Sequence, residues 1–350
     1  MNGPLSFLLA LVLLALAACS PHPPAPTTTP GPAASLTALI QATPTRTPAK
    51  GPAPRVLVLP SVVPTHTPRA GWPPGKIVFT CQWQKLQASE QICMIDADDP
   101  GAAQTLTWMV SVQRYYASLA PDGLSMVYAN FLENNLSEIY ELGWGENPPD
   151  WRRPLTDGLS LVNAPEISPD GRQIIFMRQV AETGRDEIWV MARDGRSPRR
   201  LIDTVGWDPT WSPDGQQVLF ASDRGGNIQL WVVGVDGTGL HKVTDLPGMR
   251  GRSDWSPDGQ YIVTDLGGPW EHELYLMDSD GSNAHRISPP GGNSQGPSFS
   301  PDGKWVAFTA YFDHPNDING CEIYIMRIDG TDLRRLTDND FCDYQPRWGP

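Results

Sequence analysis

Ser168-Pro169-Asp170-Gly171 recurs as Ser212-Pro213-Asp214-Gly215, Ser256-Pro257-Asp258-Gly259 and Ser300-Pro301-Asp302-Gly303, each copy 44 residues after the one before. An altered copy, Ala120-Pro121-Asp122-Gly123, stands 48 residues upstream of the first. Self-similarity at one fixed interval marks a repeat architecture. The tetrapeptide itself reads as a turn. Pro presets φ, Asp tolerates the third position, and Gly accepts the positive φ that closes a hairpin. Each copy should therefore join two strands.

The flanking residues supply those strands. Before the turn come short runs ending in a large apolar residue, as in Pro209-Thr210-Trp211 and Pro297-Ser298-Phe299. After it come β-rich runs such as Gln217-Val218-Leu219-Phe220 and Trp305-Val306-Ala307-Phe308. A third run follows, Leu230-Trp231-Val232-Val233 or Ile323-Tyr324-Ile325-Met326, then a second turn at Asp236-Gly237 or Asp329-Gly330. A short fourth run closes the unit, Lys242-Val243-Thr244 or Arg335-Leu336-Thr337. Four antiparallel strands per unit of ~40 residues, nearly continuous in apolar content, describe a propeller blade packed on both faces. The first unit, beginning at Lys76, lacks a first strand, and Gln345-Pro346-Arg347-Trp348 near the C-terminus has that pattern with no second strand after it. The expectation is an all-β propeller of six four-stranded blades, closed by a C-terminal strand that completes blade one and leaves no open sheet edge in the ring.

These motifs resemble the TolB-like propellers, whose repeat runs W-S-P-D-G, hydrophobic strand, aliphatic-aromatic-aliphatic strand, D-G, R-L-T. The resemblance covers about residues 76–350. Similar propellers precede the catalytic domain of prolyl-oligopeptidase-type peptidases. The chain has no room for the α/β domain that precedes the propeller in TolB proper, and no catalytic domain follows Pro350, so neither a periplasmic TolB role nor a peptidase activity carries over whole.

Phe7 to Ala18 form an apolar run ending in Leu16-Ala17-Ala18-Cys19. It is too short for a membrane span of ~20 residues and suits a signal-peptide core. Small residues before a Cys resemble the bacterial lipobox, which makes residues 1–19 a lipoprotein signal peptide and Cys19 the lipidated residue. Residues 20–75 hold 15 Pro and 9 Thr with no acid, a composition that favours extended, solvated chain and reads as a disordered tether. The domain expected at 76–350 carries a net charge of −17 against −13 for the whole chain, since the four basic residues before it have no acidic counterpart. That balance argues against nucleic acid, whose binding depends on neutralising phosphates.

With Cys19 assigned to lipid, Cys81, Cys93, Cys321 and Cys342 remain, an even set that permits three pairings and fits export. Bridges between nearest neighbours, Cys81 with Cys93 and Cys321 with Cys342, are the first choice. Bridges across the closing seam stay open as alternatives.

Gly292-Asn293-Ser294-Gln295-Gly296 matches a nucleophile-elbow pattern, but such an elbow needs a strand-to-helix turn, and this segment links two blades. Asp278-Ser279-Asp280-Gly281 and Asp317-Ile318-Asn319-Gly320 lack the full calcium-loop ligand series. No metal or cofactor is expected. The face bearing the links between second and third strands and between blades is the variable one, called here the mouth. It should carry Arg114, Tyr115 and the candidate binding residues Trp207, Asp208, Arg252, Trp270, Glu271, His272, Asp313, His314, Asp343 and Tyr344, a mix of aromatics and charges suited to a peptide, a glycan or a partner domain. The function expected is a lipid-anchored, extracytoplasmic, non-enzymatic and monomeric scaffold that binds an envelope or surface protein, peptide or glycan. The alternative is a propeller lyase or hydrolase acting on glycans at the ring mouth.

Overall fold

A computed structural model describes residues 69–83, 90–107, 112–132, 136–144, 151–157, 161–313, 317 and 320–350. The signal sequence with Cys19, the tether up to residue 68, and His314 lie outside the described residues. The rest form six four-stranded antiparallel sheets. The inner strands of blades 2 to 6 are Gln113–Leu119, Leu161–Ile167, Trp207–Trp211, Met249–Trp255 and Gln295–Phe299. Neighbouring inner strands touch around the ring. Blade 1 takes its inner strand from the C-terminus: Asp343–Gly349 pairs with Lys76–Cys81, setting Trp348 opposite Ile77 and Asp343 opposite Cys81. Trp348 Nε1 also donates to the Pro74 carbonyl at 3.0 Å. The closure expected from the split repeat is the one observed.

Period-2 alternation explains the near-continuous apolar runs, because successive side chains enter opposite faces of a sheet that is covered on both. In blade 1, Ile77 and Phe79 pack with Ala307 and Ile325 of blade 6. Val78 and Met94 face Met126 and Tyr128 of blade 2. Phe79, Phe176, Phe220 and Phe308 occupy equivalent places and are fully buried, so truncating any of them to Ala should cost about 3–5 kcal/mol. The outermost strands are edges, and five of the six are short basic segments: Arg152-Arg153, Arg199–Arg200, His241–Lys242, His285–Arg286 and Arg334–Arg335. Charge on an edge strand discourages pairing with another chain.

The repeated turn does more than its φ pattern required. Ser168 Oγ donates to Asp170 Oδ1 at 2.6 Å, the Arg172 N–H donates to the same carboxylate, and the Gln173 N–H donates to Ser168 Oγ. The same bonds recur at Ser212/Asp214, Ser256/Asp258 and Ser300/Asp302. Asp is thus an acceptor that closes the turn rather than a residue merely tolerated there. Gly171, Gly215, Gly259 and Gly303 follow at φ of 69° to 72°, apart from Gly215 at 68°.

Candidate functional site

The inner strands of blades 2 to 6 run from the mouth towards the repeated turn, and all six inner strands slip register once along their length. In five blades the slip sets one residue in the left-handed region: Tyr116, Ala164, Asp208, Gly296 and Gln345, at φ between 46° and 60°. A bulge bends its strand and re-aims a side chain. In blade 5 the slip is longer, with Gly251 at φ 139°, and Arg252 takes the corresponding place. These six residues make an upper layer in the channel, nearer the mouth. Two residues further along each strand stand Ser118, Glu166, Thr210, Asp254, Ser298 and Arg347, the lower layer.

The lower layer is cross-braced. Arg347, from the closing strand of blade 1, reaches Glu166 of blade 3 at 3.3 Å and Asp254 of blade 5 at 3.4 Å. Glu166 Oε1 accepts from Thr210 Oγ and the Trp211 N–H, both at 3.0 Å. Asp254 Oδ2 accepts from Ser298 Oγ and the Phe299 N–H, both at 2.9 Å. Ser298 Oγ in turn accepts from the Trp348 N–H. Burial pushes the Glu166 carboxyl up while Arg347 opposes the shift. Burial also works against the Arg347 charge, but Glu166, Asp254 and Asp208 outweigh it and hold its pKa up. Two carboxylates and one guanidinium from three blades therefore stabilise one another at the centre of the ring.

The upper layer is not settled in this way. Arg252 lies over the Tyr116 ring at 5.4 Å, and its Nη1 is buried with no hydrogen-bond partner. Burial, then the Arg347 charge, push Arg252 down to about 10. Burial pushes the Asp208 carboxyl up, with Arg252 and Arg347 opposing. Between them lies a cavity of about 10 Å³, lined also by Tyr116, Ala164, Glu166 and Arg347, room for about one water molecule. Among the described residues this cavity is too small to enclose a whole ligand.

The other predicted site residues are scattered around the mouth. Trp207 is half-buried and donates from Nε1 to the Arg250 carbonyl at 3.4 Å. Trp270 packs edge-on against Tyr311, beside the Cys321–Cys342 bridge. Glu271 is exposed. His272 is buried, with Nδ1 2.9 Å from Asp265 Oδ2, while Asp265 Oδ1 accepts from the Gly296 N–H. Ser294 lies alongside, donating its N–H to the His272 carbonyl, but its hydroxyl is fully buried and makes no bond to the imidazole. An aspartate, a histidine and a serine thus meet as a brace between blades 5 and 6. Asp313 accepts from the Tyr324 hydroxyl and from Arg335. Tyr344 stands against Tyr115, and Arg114 is buried against Gln91. Asp343 is buried, accepts from Asn339 Nδ2 at 2.8 Å, and is pushed up to about 8 by burial and then by Glu322. Only Asp208 and Arg252 of the predicted set share the channel. Tyr116, Glu166, Asp254 and Arg347 were missed, although aligning the repeats shows a polar residue two places before every turn, followed each time by a large apolar one. Among the described residues, no group of three His, Cys, Asp or Glu side chains is placed to hold a metal ion.

The disulfides follow the nearest-neighbour choice, Cys81–Cys93 and Cys321–Cys342, with Cα separations of 5.8 and 4.5 Å. Cys342 directly precedes the closing strand, and its carbonyl accepts from the Gln82 N–H. Both bridges therefore flank the seam where the ring closes.

The family model for the TolB beta propeller domain matches residues 67–245 and 237–350. An uncharacterized protein of Agrobacterium fabrum is 30% identical over 147 residues, covering 39% of this chain and 48% of that protein. The Tol-Pal system protein TolB of Anaeromyxobacter dehalogenans is 32% identical over 91 residues, 26% of this chain and 20% of that protein. The chain therefore spans less than half the length of these curated relatives. Among solved structures, TolB from Acinetobacter baumannii superposes with a TM-score of 0.66 at 24% identity, over 79% of this chain and 67% of that one. A putative TolB from Agrobacterium tumefaciens gives 0.58 at 20% identity, over 80% and 99%. At these identities the structural likeness establishes the fold alone.

Proposed function

The chain belongs to the TolB beta propeller domain family, and from that premise we propose that it is a non-enzymatic scaffold that binds a protein partner at the channel mouth, outside the cytoplasm. Residues 1–19 act as the export signal, Cys19 carries lipid, residues 20–75 form the tether, and the propeller follows. Two disulfides support an oxidising compartment, and relatives named for the Tol-Pal system support an envelope protein as partner. The observation that carries the binding role is the unsettled upper layer. Arg252 Nη1, a buried donor without an acceptor among the described residues, costs stability, and such a group is retained where a partner completes it.

Site-specific photocrosslinking of the full chain in cells tests this reading. A crosslinker at exposed Glu271 on the mouth should trap a discrete partner, and one at exposed Gln216 on the turn face should not. Crosslinks from Gln216 alone, or equal ones from both, contradict it. Incorporation of labelled fatty acid that is lost with Cys19→Ala tests the anchor.

A further inference from the structure

The five Pro-Asp-Gly turns that join first to second strands share one backbone geometry and differ, at their first position, in one hydroxyl. Gly123, Gly171, Gly215, Gly259 and Gly303 all have φ between 68° and 72°, and each N–H donates to the carbonyl three residues back at 2.8–2.9 Å. All five aspartates are exposed. At Asp170, Asp214, Asp258 and Asp302, Oδ1 accepts from the serine hydroxyl at 2.6–2.7 Å and from the N–H two residues on at 3.0–3.1 Å. In blade 2 an alanine replaces that serine, and among the described residues Asp122 Oδ1 accepts only from the Leu124 N–H, at 2.9 Å. Ala120 is buried as deeply as the four serines, so exposure does not separate the five turns.

That hydroxyl bears on a reaction to which Asp-Gly bonds are open. The glycine nitrogen attacks the aspartate Cγ only where the side chain is free to turn towards it and its carboxyl is protonated, because water must leave. A donor on the carboxylate opposes both requirements. It fixes the side chain, and Ser168, Ser212 and Ser256 hold the carboxyls of Asp170, Asp214 and Asp258 below the usual carboxylate range. We infer that Asp122 is the labile member of the set, a site of spontaneous isomerisation to isoaspartate. The Gly123 nitrogen forms a bond to Asp122 Cγ, and its proton leaves with the carboxyl hydroxyl as water, giving a succinimide. Water then adds at the Asp122 main-chain carbonyl and the bond from that carbon to the Gly123 nitrogen breaks. The chain now continues through the side-chain carbonyl, and the α-carboxyl is free. One water leaves and one enters, so no oxidant or co-reactant is needed. The lengthened chain falls beside the ring closure, since a Cβ on Gly123 would lie 3.6 Å from the Pro350 carbonyl oxygen. The inference does not depend on the binding reading above.

The test ages the full oxidised chain in heavy-oxygen water at mildly acidic pH. Peptide mapping by mass spectrometry reads the heavy oxygen fixed at each turn, since every succinimide takes up one when it opens. Asp122 should gain label about tenfold faster than Asp214 or Asp258, the worth of one hydrogen bond to a charged group. Ala120→Ser should slow it to their rate, and Ser256→Ala should raise Asp258 to the rate of Asp122, so that either variant suffices if the other misfolds. In urea all five turns should label alike, because each is an Asp-Gly bond. A rate at Asp122 no higher than at the serine turns, or the same ranking in urea, would overturn the inference, as would rates untouched by both substitutions.

Discussion

The upper and lower layers of the channel stand two residues apart on the same six strands, yet their charges are treated differently. In the lower layer, Arg347 answers Glu166 and Asp254, and both carboxylates accept further bonds from Thr210, Trp211, Ser298 and Phe299. In the upper layer, Arg252 keeps a buried donor with no acceptor, across a gap from Asp208. Among the described residues, Glu166 Oε2 accepts no hydrogen bond and is held by its ion pair with Arg347, so charge complementarity rather than complete hydrogen bonding braces the lower layer. One layer therefore ties three blades together, and the other leaves Arg252 Nη1 unanswered among the described residues.

Arg347→Met attacks the lower layer alone. It would leave two carboxylates facing each other near the ring axis, a loss of about 3–5 kcal/mol, measurable by denaturant unfolding of the oxidised chain. Glu166→Gln in the same background should recover part of that loss by removing one of the two uncompensated charges.

The next largest effect concerns the same closing strand. Cys321→Ser with Cys342→Ser releases the link into it across a sequence separation of 21 residues, for a loss of about 2–4 kcal/mol. Limited proteolysis should then cut first near the C-terminus. A cut elsewhere, at an unchanged rate, would mean that the bridge does not hold the seam.

A smaller effect is tied to pH. Asp343 sits at the start of the closing strand, with Glu322 as its acidic neighbour, and its pKa is pushed up to about 8 from an ordinary 3.8. The folded chain thus holds a proton that the unfolded chain has released. Stability from this site is complete below the ordinary value, falls as pH rises, and is spent above about 8. The melting temperature should fall by a few degrees between about pH 5 and pH 9, and Asp343→Asn should flatten most of that slope.

The fold was legible because its signals are local. A turn of four residues every 44, with β-rich runs on either side, locates the blades, and the unmatched strand at Gln345 to Trp348 locates the seam. The site was much less so. Arg347 and Glu166 meet across the ring from positions 181 residues apart, and no periodicity says which blades face one another through the channel. Asp208 and Arg252 were found by their types, but they belong to strand bulges rather than to loops. His272 was read as a mouth residue, and its burial depends on Asp265 standing where the equivalent second strands carry Thr80, Ala221 and Thr309. Polar residues two places before each turn were visible as a column, but without the ring they had no shared centre.

The most direct measurement sets the two arginines side by side, by comparing the unfolding free energies of Arg252→Met and Arg347→Met in the full oxidised chain. Arg252→Met should stay within about 1 kcal/mol of the unmodified chain while Arg347→Met loses about 3–5 kcal/mol, so that the upper layer is dispensable for folding and the lower one is not. Equal losses in the two variants, or a larger loss from Arg252→Met, would contradict that division.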